Sequence, residues 1–136
     1  MASRKPKKRS RQVPPPHLHE LESEVMEEIW SVGEANVRTV MDALNERAQK
    51  PRAYTTYMTI MARLHRKGVL DRRREGNTDV YAPVLDRDDF MTARAGADVE
   101  GLVAEYGDVA LSHFARQVAQ LDPERRRALQ RLARRS

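Results

Sequence analysis

One stretch, residues 53–68, constrains the fold of this chain more than any other. It reads AYTTYMTIMARLHRKG, and its apolar side chains recur at the spacing of one helical face. The residues on this face are Tyr57, Ile60, Met61 and Leu64. Gly68 is a typical helix stop. The pattern therefore predicts a helix whose apolar face is buried against other elements.

The polar faces of this helix carry short hydroxyls near its start and cations near its end. Hydroxyl side chains at a helix start can meet base edges in a DNA major groove, and Arg or Lys further along can meet phosphates. We interpret the stretch as a DNA-recognition helix. The alternative is an ordinary amphipathic surface helix, because periodicity reports burial and not partners.

The flanking segments supply the rest of a small DNA-binding fold. Apolar periodicity predicts a first helix over residues 17–32 and a second from about residue 36 or 37 to residue 47. After Gly68 the pattern of apolar residues changes from the helical period to that of extended strands. It predicts strands over residues 69–75 and 78–84, which flank the turn pair Gly76-Asn77. Three helices followed by a hairpin predict a winged helix-turn-helix domain.

The first strand of the hairpin contains the run Arg72, Arg73 and Arg74. Side chains alternate between the two faces of a strand, so some of these cations would face a DNA backbone. The alternative is an edge strand that its charges protect from aggregation. The neighbouring basic helix end favours the DNA interpretation.

The region after residue 85 is helical again but has thin apolar stripes. Asp86 is a candidate cap for one helix, residues 109–118 form another, and Asp122-Pro123 begins a third, Arg-rich helix. None is long enough for an independent core, which favours a two-fold dimer over a monomeric helical cap. The candidate dimerisation residues are Phe90, Leu102, Val103, Tyr106, Leu111, Phe114, Leu129 and Leu132.

Charge is concentrated in the first part of the chain. The net charge is +5, and the whole excess lies before residue 86. Residues 1–16 combine six Lys or Arg with four Pro, which predicts a disordered basic arm. The arm would follow DNA phosphates or enter a minor groove, or it would serve only as a solubilising tail. We therefore expect three parts: the arm (1–16), a winged-helix domain (17–85) and a helical dimerisation domain (86–136).

The chain lacks the residues that several classes of function usually require. The chain has no Cys, no Gly-rich phosphate loop and no HExxH or GxSxG motif, and its four His are scattered. We expect neither an enzyme nor a protein with a metal or other cofactor. No apolar run approaches a membrane span, and no signal core is present, so we expect a cytoplasmic, nucleoid-associated protein without membrane insertion.

Four motifs together resemble the BlaI/MecI-type penicillinase repressors of bacteria. They are LHELESEVMEEIW, NVRTVMDALNER, AYTTYMTIMARLHRKGVL and REGNTDVYAP, followed more loosely by the helical tail. The resemblance implies a mainly α-helical fold, with a winged helix, a two-stranded β wing and a small dimerisation domain. It also implies a homodimeric repressor that binds double-stranded DNA at inverted-repeat operators. Tyr57 departs from the small aliphatic residue usual at its position, which suggests altered local packing.

The resemblance also suggests roles for individual residues. Base reading would fall to Thr55, Thr56, Thr59 and Arg63, and phosphate contacts to Arg52, Arg66, Lys67, Arg72 and Arg74. Copper release through Cys pairs is excluded by the absence of Cys. Release by a membrane-bound sensor protease is a hypothesis, since residues 112–115 lack the Asn-Phe pair associated with that cleavage. The main alternative function is a sequence-independent architectural DNA-binding protein.

Overall fold

The structure, a computed structural model, describes residues 13–135. Residues 1–12 of the predicted arm therefore lie outside the described residues. The chain forms six helices and one hairpin within the described part, in the order predicted from the pattern. They are α1 (Glu20–Val32), α2 (Val37–Arg47), α3 (Tyr54–Arg66), β1 (Leu70–Glu75), β2 (Thr78–Pro83), α4 (Arg87–Tyr106), α5 (Asp108–Ala119) and α6 (Pro123–Arg135).

The first three helices and the hairpin enclose one hydrophobic core. The face of α3 predicted to be buried is buried, and it packs with apolar side chains of α1 and α2. The central members are Val25, Met26, Ile29, Val40, Tyr57, Met61 and Leu64, all fully buried. Burial of such side chains is the dominant favourable term in folding. The prediction of a winged helix-turn-helix is confirmed.

The wing is a two-stranded antiparallel sheet with a small extension. Leu70 pairs with Pro83 at its base and Glu75 with Thr78 at its tip. Ala35, in the turn between α1 and α2, forms an isolated antiparallel bridge with Tyr81, with two backbone hydrogen bonds of 2.9 Å. The sequence pattern did not predict this bridge, which ties the wing to the helix-turn-helix.

The helix ends explain most of the differences from the predicted boundaries. Helix α1 begins at Glu20 and not at His17, because His19 is its N-cap. Asn36 caps α2 by accepting a hydrogen bond of 2.8 Å from the Thr39 amide. Gly68, with a φ of 82°, ends the recognition segment as predicted.

Helix α4 reaches Tyr106, as the apolar pattern predicted, and it is continuous through Gly96 and Gly101. Asp86 caps it as predicted, accepting a hydrogen bond of 2.8 Å from the Asp89 amide. Its first turns pack on α1. The rings of Phe90 and Trp30 lie 5.3 Å apart, and the Trp30 indole N–H donates to the Leu85 carbonyl at 3.0 Å.

This packing changes the interpretation of Phe90. It was predicted to be a dimerisation residue, but it lies in the core of the winged helix, where it is 4% exposed. Its burial therefore requires no second chain. The chain divides into two compact units between Ala95 and Gly96, ten residues beyond the predicted boundary at 85/86, because the start of α4 belongs to the winged-helix core.

The second unit has almost no core of its own. Among its described residues only Ala110 is buried. Its exposed apolar side chains are Val99, Leu102, Tyr106, Val109, Leu111, Val118, Leu129 and Leu132. Phe114 and Val103 are partly buried. Asp122 caps α6 as predicted, accepting a hydrogen bond of 2.8 Å from the Arg125 amide. No described helix combines the length and the apolarity that a membrane span requires.

Phe90→Ala tests the reassignment of this residue. We expect the substitution to lower the free energy of unfolding by about 3–5 kcal/mol, because it leaves a cavity beside Trp30. Self-association should keep its wild-type dissociation constant. Urea unfolding and sedimentation equilibrium measure the two effects. Wild-type stability together with weakened self-association would restore the dimerisation role.

Candidate nucleic-acid interface

The outward face of α3 carries one row of residues at helical spacing. Thr55, Thr59, Ala62 and Arg66 lie opposite the buried face, and of these only Ala62 is not exposed. Thr56 and Arg63 lie beside this row and are half-buried. The helix thus presents two hydroxyls near its start and a guanidinium at its end, as a recognition helix would.

The start of α3 is also free of negative charge. Its first turn contains no acidic residue, and no side chain caps its N-terminus. The positive end of a helix dipole favours an anion such as a DNA phosphate. Arg38 of α2 lies over the ring of the half-exposed Tyr54, with its guanidinium carbon 6.0 Å from the ring centroid.

The turn between α2 and α3 is held by the side chain of Asn45. Its amide donates to the Arg52 carbonyl at 2.9 Å, and its carbonyl accepts from the Arg52 amide at 3.0 Å. The hydroxyl of buried Tyr57 donates to the same Asn45 oxygen at 2.8 Å. This arrangement explains why a tyrosine is accommodated at position 57, and it fixes the approach of the chain into α3.

The wing distributes its three arginines between its two faces. Arg72 pairs with Tyr81 and Arg74 with Asp79, so both lie on the face that carries Leu70 at its base. Arg74 forms an ion pair of 3.1 Å with Asp79. Arg73 lies on the other face and anchors the wing.

Arg73 connects the wing to the turn before α2. It donates to Glu34 at 2.7 and 3.2 Å and to Glu75 at 2.8 Å. The hydrogen bond and charge of Arg73 lower the pKa of Glu34 below its usual value, and Glu34 and Glu75 raise the pKa of Arg73. Arg73 is therefore engaged within the protein, whereas its two neighbours lie on the opposite face.

A polar groove separates the wing from the recognition helix. Its volume is about 420 Å³, and it is lined by the start of α2, the outer side of α3 and the tip of the wing. The lining residues are Asn36, Val37, Arg38, Tyr54, Met58, Arg74, Asn77, Thr78, Asp79 and Tyr81. The groove therefore lies between the two elements that the sequence analysis assigned to DNA contact.

Glu22 connects α1 to the other end of α3. Its side chain is fully buried, and the Lys67 ammonium lies 2.9 and 3.1 Å from its two oxygens. The His19 amide donates to it at 2.8 Å, and an Arg63 nitrogen lies at 3.6 Å. Burial opposes ionisation of Glu22, but the His19 amide and Lys67 outweigh it and hold the pKa below its usual value.

These contacts correct one predicted role and qualify another. Lys67 was assigned to DNA phosphate, but its ammonium neutralises Glu22, because a buried carboxylate requires a nearby cation. Arg63 was assigned to base reading. Its side chain is 37% exposed, and one guanidinium nitrogen lies 3.6 Å from Glu22, at the edge of the outward face.

The other residues predicted to contact phosphates differ in whether a carboxylate of the protein already pairs with them. Within residues 13–135, no carboxylate lies within ion-pair distance of Arg52, Arg66 or Arg72, and all three are exposed. Arg74 is exposed but paired with Asp79. Arg52, Arg66 and Arg72 are therefore more available to a polyanion than Arg74 is.

Sequence reasoning missed Asn45, Glu34 and the role of Glu22. Glu22 was detectable as the acidic residue three positions after a helix cap, the pattern of a capping box. Asn45 and Glu34 left no local signal, because their partners lie elsewhere in the chain. Among the described residues, no group of three His, Asp or Glu is arranged to hold a metal ion.

Comparison with known proteins identifies the family. A family model described as penicillinase repressor matches residues 18–135. The chain belongs to the penicillinase repressor family. The transcriptional regulator BlaI of Mycobacterium tuberculosis is 37% identical over 106 residues, which covers 74% of this chain and 73% of that protein.

Two further similarities involve named repressors. The penicillinase repressor of Bacillus licheniformis is 31% identical over 81 residues, covering 59% of this chain and 61% of that protein. A solution structure of the DNA-binding domain of the repressor BlaI is 32% identical, with a TM-score of 0.49, covering 55% of this chain and 89% of that domain. The family resemblance predicted from the motifs is confirmed.

Glu22→Gln tests the ionised state of the buried carboxylate. The folded pKa is lower than the unfolded value, so the charge stabilises the fold above about pH 4.5, and this contribution is lost as the pH falls through the folded pKa. We expect the variant to be about 1–3 kcal/mol less stable at neutral pH, with the difference shrinking at an acidic pH well below the ordinary glutamate pKa of 4.5. Urea unfolding at the two pH values measures this, and a difference that does not change with pH would contradict it.

Proposed function

We propose that this protein is a homodimeric transcriptional repressor that binds inverted-repeat operators through its winged helix. The observation that carries the proposal is the combination of an exposed recognition face on α3 with unpaired cations on both sides of it. Family membership supports the coarser statement, that the chain is a DNA-binding repressor. A repressor acts at promoter DNA, so we place it in the bacterial cytoplasm, associated with the nucleoid.

In this proposal α3 lies in the major groove. Thr55 and Thr59 of the outward row read base edges, with Thr56 and Arg63 at the margin of the contact. Arg52 and Arg66 contact phosphates before and after the helix, and Arg72 and Arg74 contact the backbone from the wing. The groove between α3 and the wing receives the intervening DNA strand.

The second unit supports the dimer. A unit with a single buried side chain among its described residues does not bury enough apolar surface to be stable alone. Eight apolar side chains that are more than a third exposed would complete their burial against a second copy. A two-fold dimer would present two recognition helices, which matches an inverted repeat.

Proteolytic release by a sensor protease remains a hypothesis within this proposal. Ser112 and Phe114 lie in the middle of α5, and a cut there would separate Leu129 and Leu132 from the rest of the second unit. Such a cut would weaken the dimer and therefore the binding to a repeat. An intact chain that persists in cells while the target genes are expressed would exclude this route.

Fluorescence anisotropy tests the central proposal. We would measure binding to a duplex from the gene's own upstream region and to a scrambled duplex at about 0.15 M salt. We expect a preference of about a thousandfold or more, with two chains per site. Equal affinities that fall steeply with salt, on this duplex and on sites mapped across the genome, would favour the sequence-independent architectural alternative.

Single substitutions separate base reading from phosphate contact. Arg63→Ala should reduce discrimination between the two duplexes, since a base contact contributes about 1–3 kcal/mol. Arg66→Ala and Arg72→Ala should weaken binding to both and lower the salt slope by about one charge. Arg87→Ala is the matched control, because it removes the same charge from an arginine that pairs with Glu27. Equal losses for all four variants would contradict the roles.

A substitution in α6 tests the dimer. Leu132 is 55% exposed, so Leu132→Asp should leave the core of the winged helix intact but raise the dissociation constant of the dimer by about 100-fold or more. Gln130→Asp places the same charge at a polar position of the same helix and should have little effect. Sedimentation equilibrium compares them, and identical behaviour of the two variants would argue against a dimer through this surface.

A further inference from the structure

Met58 is an exposed side chain of α3 to which the proposed function gives no role. It is 44% exposed, although methionine is among the residues most often buried. A single exposed apolar side chain is common on protein surfaces and by itself indicates nothing. The position of Met58 on the helix is what makes it informative.

Met58 lies beside the outward row of α3, on the side of the wing. It follows Thr55 by three residues and precedes Ala62 by four, and residues at these spacings are neighbours on a helix surface. Thr56 and Arg63 flank the same row on its other side. Met58 also lines the groove between α3 and the wing. A base edge that Thr55 contacts is therefore within the neighbourhood of Met58.

The groove beside Met58 suits an anionic partner. Of the described residues that line it, Tyr54 and Met58 are the exposed apolar ones. The guanidinium of the exposed Arg38 lies over the ring of Tyr54. No carboxylate among the described residues lies within ion-pair distance of Arg38. Arg38 therefore brings an unpaired positive charge to the groove that Met58 lines.

The DNA major groove offers an apolar group at only one base. The C5 methyl of thymine projects into it, whereas the other base edges present hydrogen-bond donors and acceptors. Methionine donates no hydrogen bond and its thioether accepts only weakly, so it cannot satisfy those polar edges. Its flexible and polarisable side chain packs readily on an apolar group. A base beside Met58 is therefore bound best when it is thymine.

We propose that Met58 is a specificity-determining residue, which selects thymine at one position of each half-site by packing on its C5 methyl. The contact adds a sequence preference to that of Thr55 and Thr59 and extends base reading toward the wing. This proposal rests on the proposed function, since it requires α3 to lie in a major groove. Coverage of Met58 by another protein is the alternative outcome of the test.

The test changes the two sides of the contact separately. In the specific duplex found by fluorescence anisotropy, deoxyuridine replaces one thymine at a time, at matching positions of both half-sites, which deletes only the C5 methyl. In the full-length protein, Met58→Gln introduces a polar side chain that favours a helix, and Met58→Leu keeps an apolar one. Met91→Gln is the matched control, because Met91 is 38% exposed on α4 and does not line the groove.

We expect deoxyuridine at one position to weaken binding of the wild type by about tenfold, because each of two contacts loses a buried methyl group. Met58→Gln should bind the unmodified duplex less tightly and should lose less than about twofold at that same position, since the two changes remove one shared contact. Met58→Leu and Met91→Gln should show the wild-type loss. Anisotropy measures the affinity of each protein for each duplex.

The proposal would be overturned if every deoxyuridine duplex weakened the wild type and Met58→Gln equally. Wild-type affinity of Met58→Gln for every duplex would also overturn it, and would leave another protein as the occupant of this surface. A Met58→Leu variant that behaves like Met58→Gln would contradict an apolar contact. Failure of the proposed function gives a different result, in which the wild type binds the unmodified and the scrambled duplex equally, and the proposal then falls with it.

Discussion

The ion pair between Glu22 and Lys67 is the contact on which the geometry of the winged helix depends most directly. A fully buried carboxylate is tolerated only when hydrogen bonds and a cation compensate for its lost hydration. Glu22 obtains both, a hydrogen bond from the N-cap residue of its own helix and a cation from the end of α3. The start of α1 is therefore fixed to the end of the recognition helix, and the outward row of α3 is oriented as a result.

The other end of α3 and the wing are fixed by polar contacts of the same kind. Asn45 fixes the turn that enters α3, and Arg73 fixes the wing to Glu34. The bridge between Ala35 and Tyr81 adds backbone hydrogen bonds at the base of the wing. These contacts position two surfaces, the helix and the wing, on either side of one groove. A DNA duplex can engage both at once only if they are held at a constant separation.

The same contacts divide the basic residues into two groups. Lys67, Arg73 and Arg87 have carboxylate partners and serve the fold, whereas Arg52, Arg66 and Arg72 have none among the described residues. The division matters for function, since an arginine that already neutralises a protein carboxylate releases few counterions on binding DNA. Net charge alone therefore overstates the number of cations available to a polyanion.

Local pattern was sufficient to predict the elements of this protein. Periodicity predicted the buried face of α3, the turn pair Gly76-Asn77 predicted the hairpin, and Asp86 and Asp122 predicted two helix starts, because each signal acts within a few residues. The family was also recognisable, since its motifs lie in these same elements.

The tertiary structure decided which residues are available. Phe90 looked like a member of an exposed stripe but belongs to the core, because Trp30 lies 60 positions away in the sequence and 5.3 Å away in space. Lys67 looked like a phosphate contact but serves Glu22, 45 positions earlier. Composition and spacing reveal the types of side chain on a helix face. Only the packing of distant segments determines which of these side chains already contact other residues of the same chain.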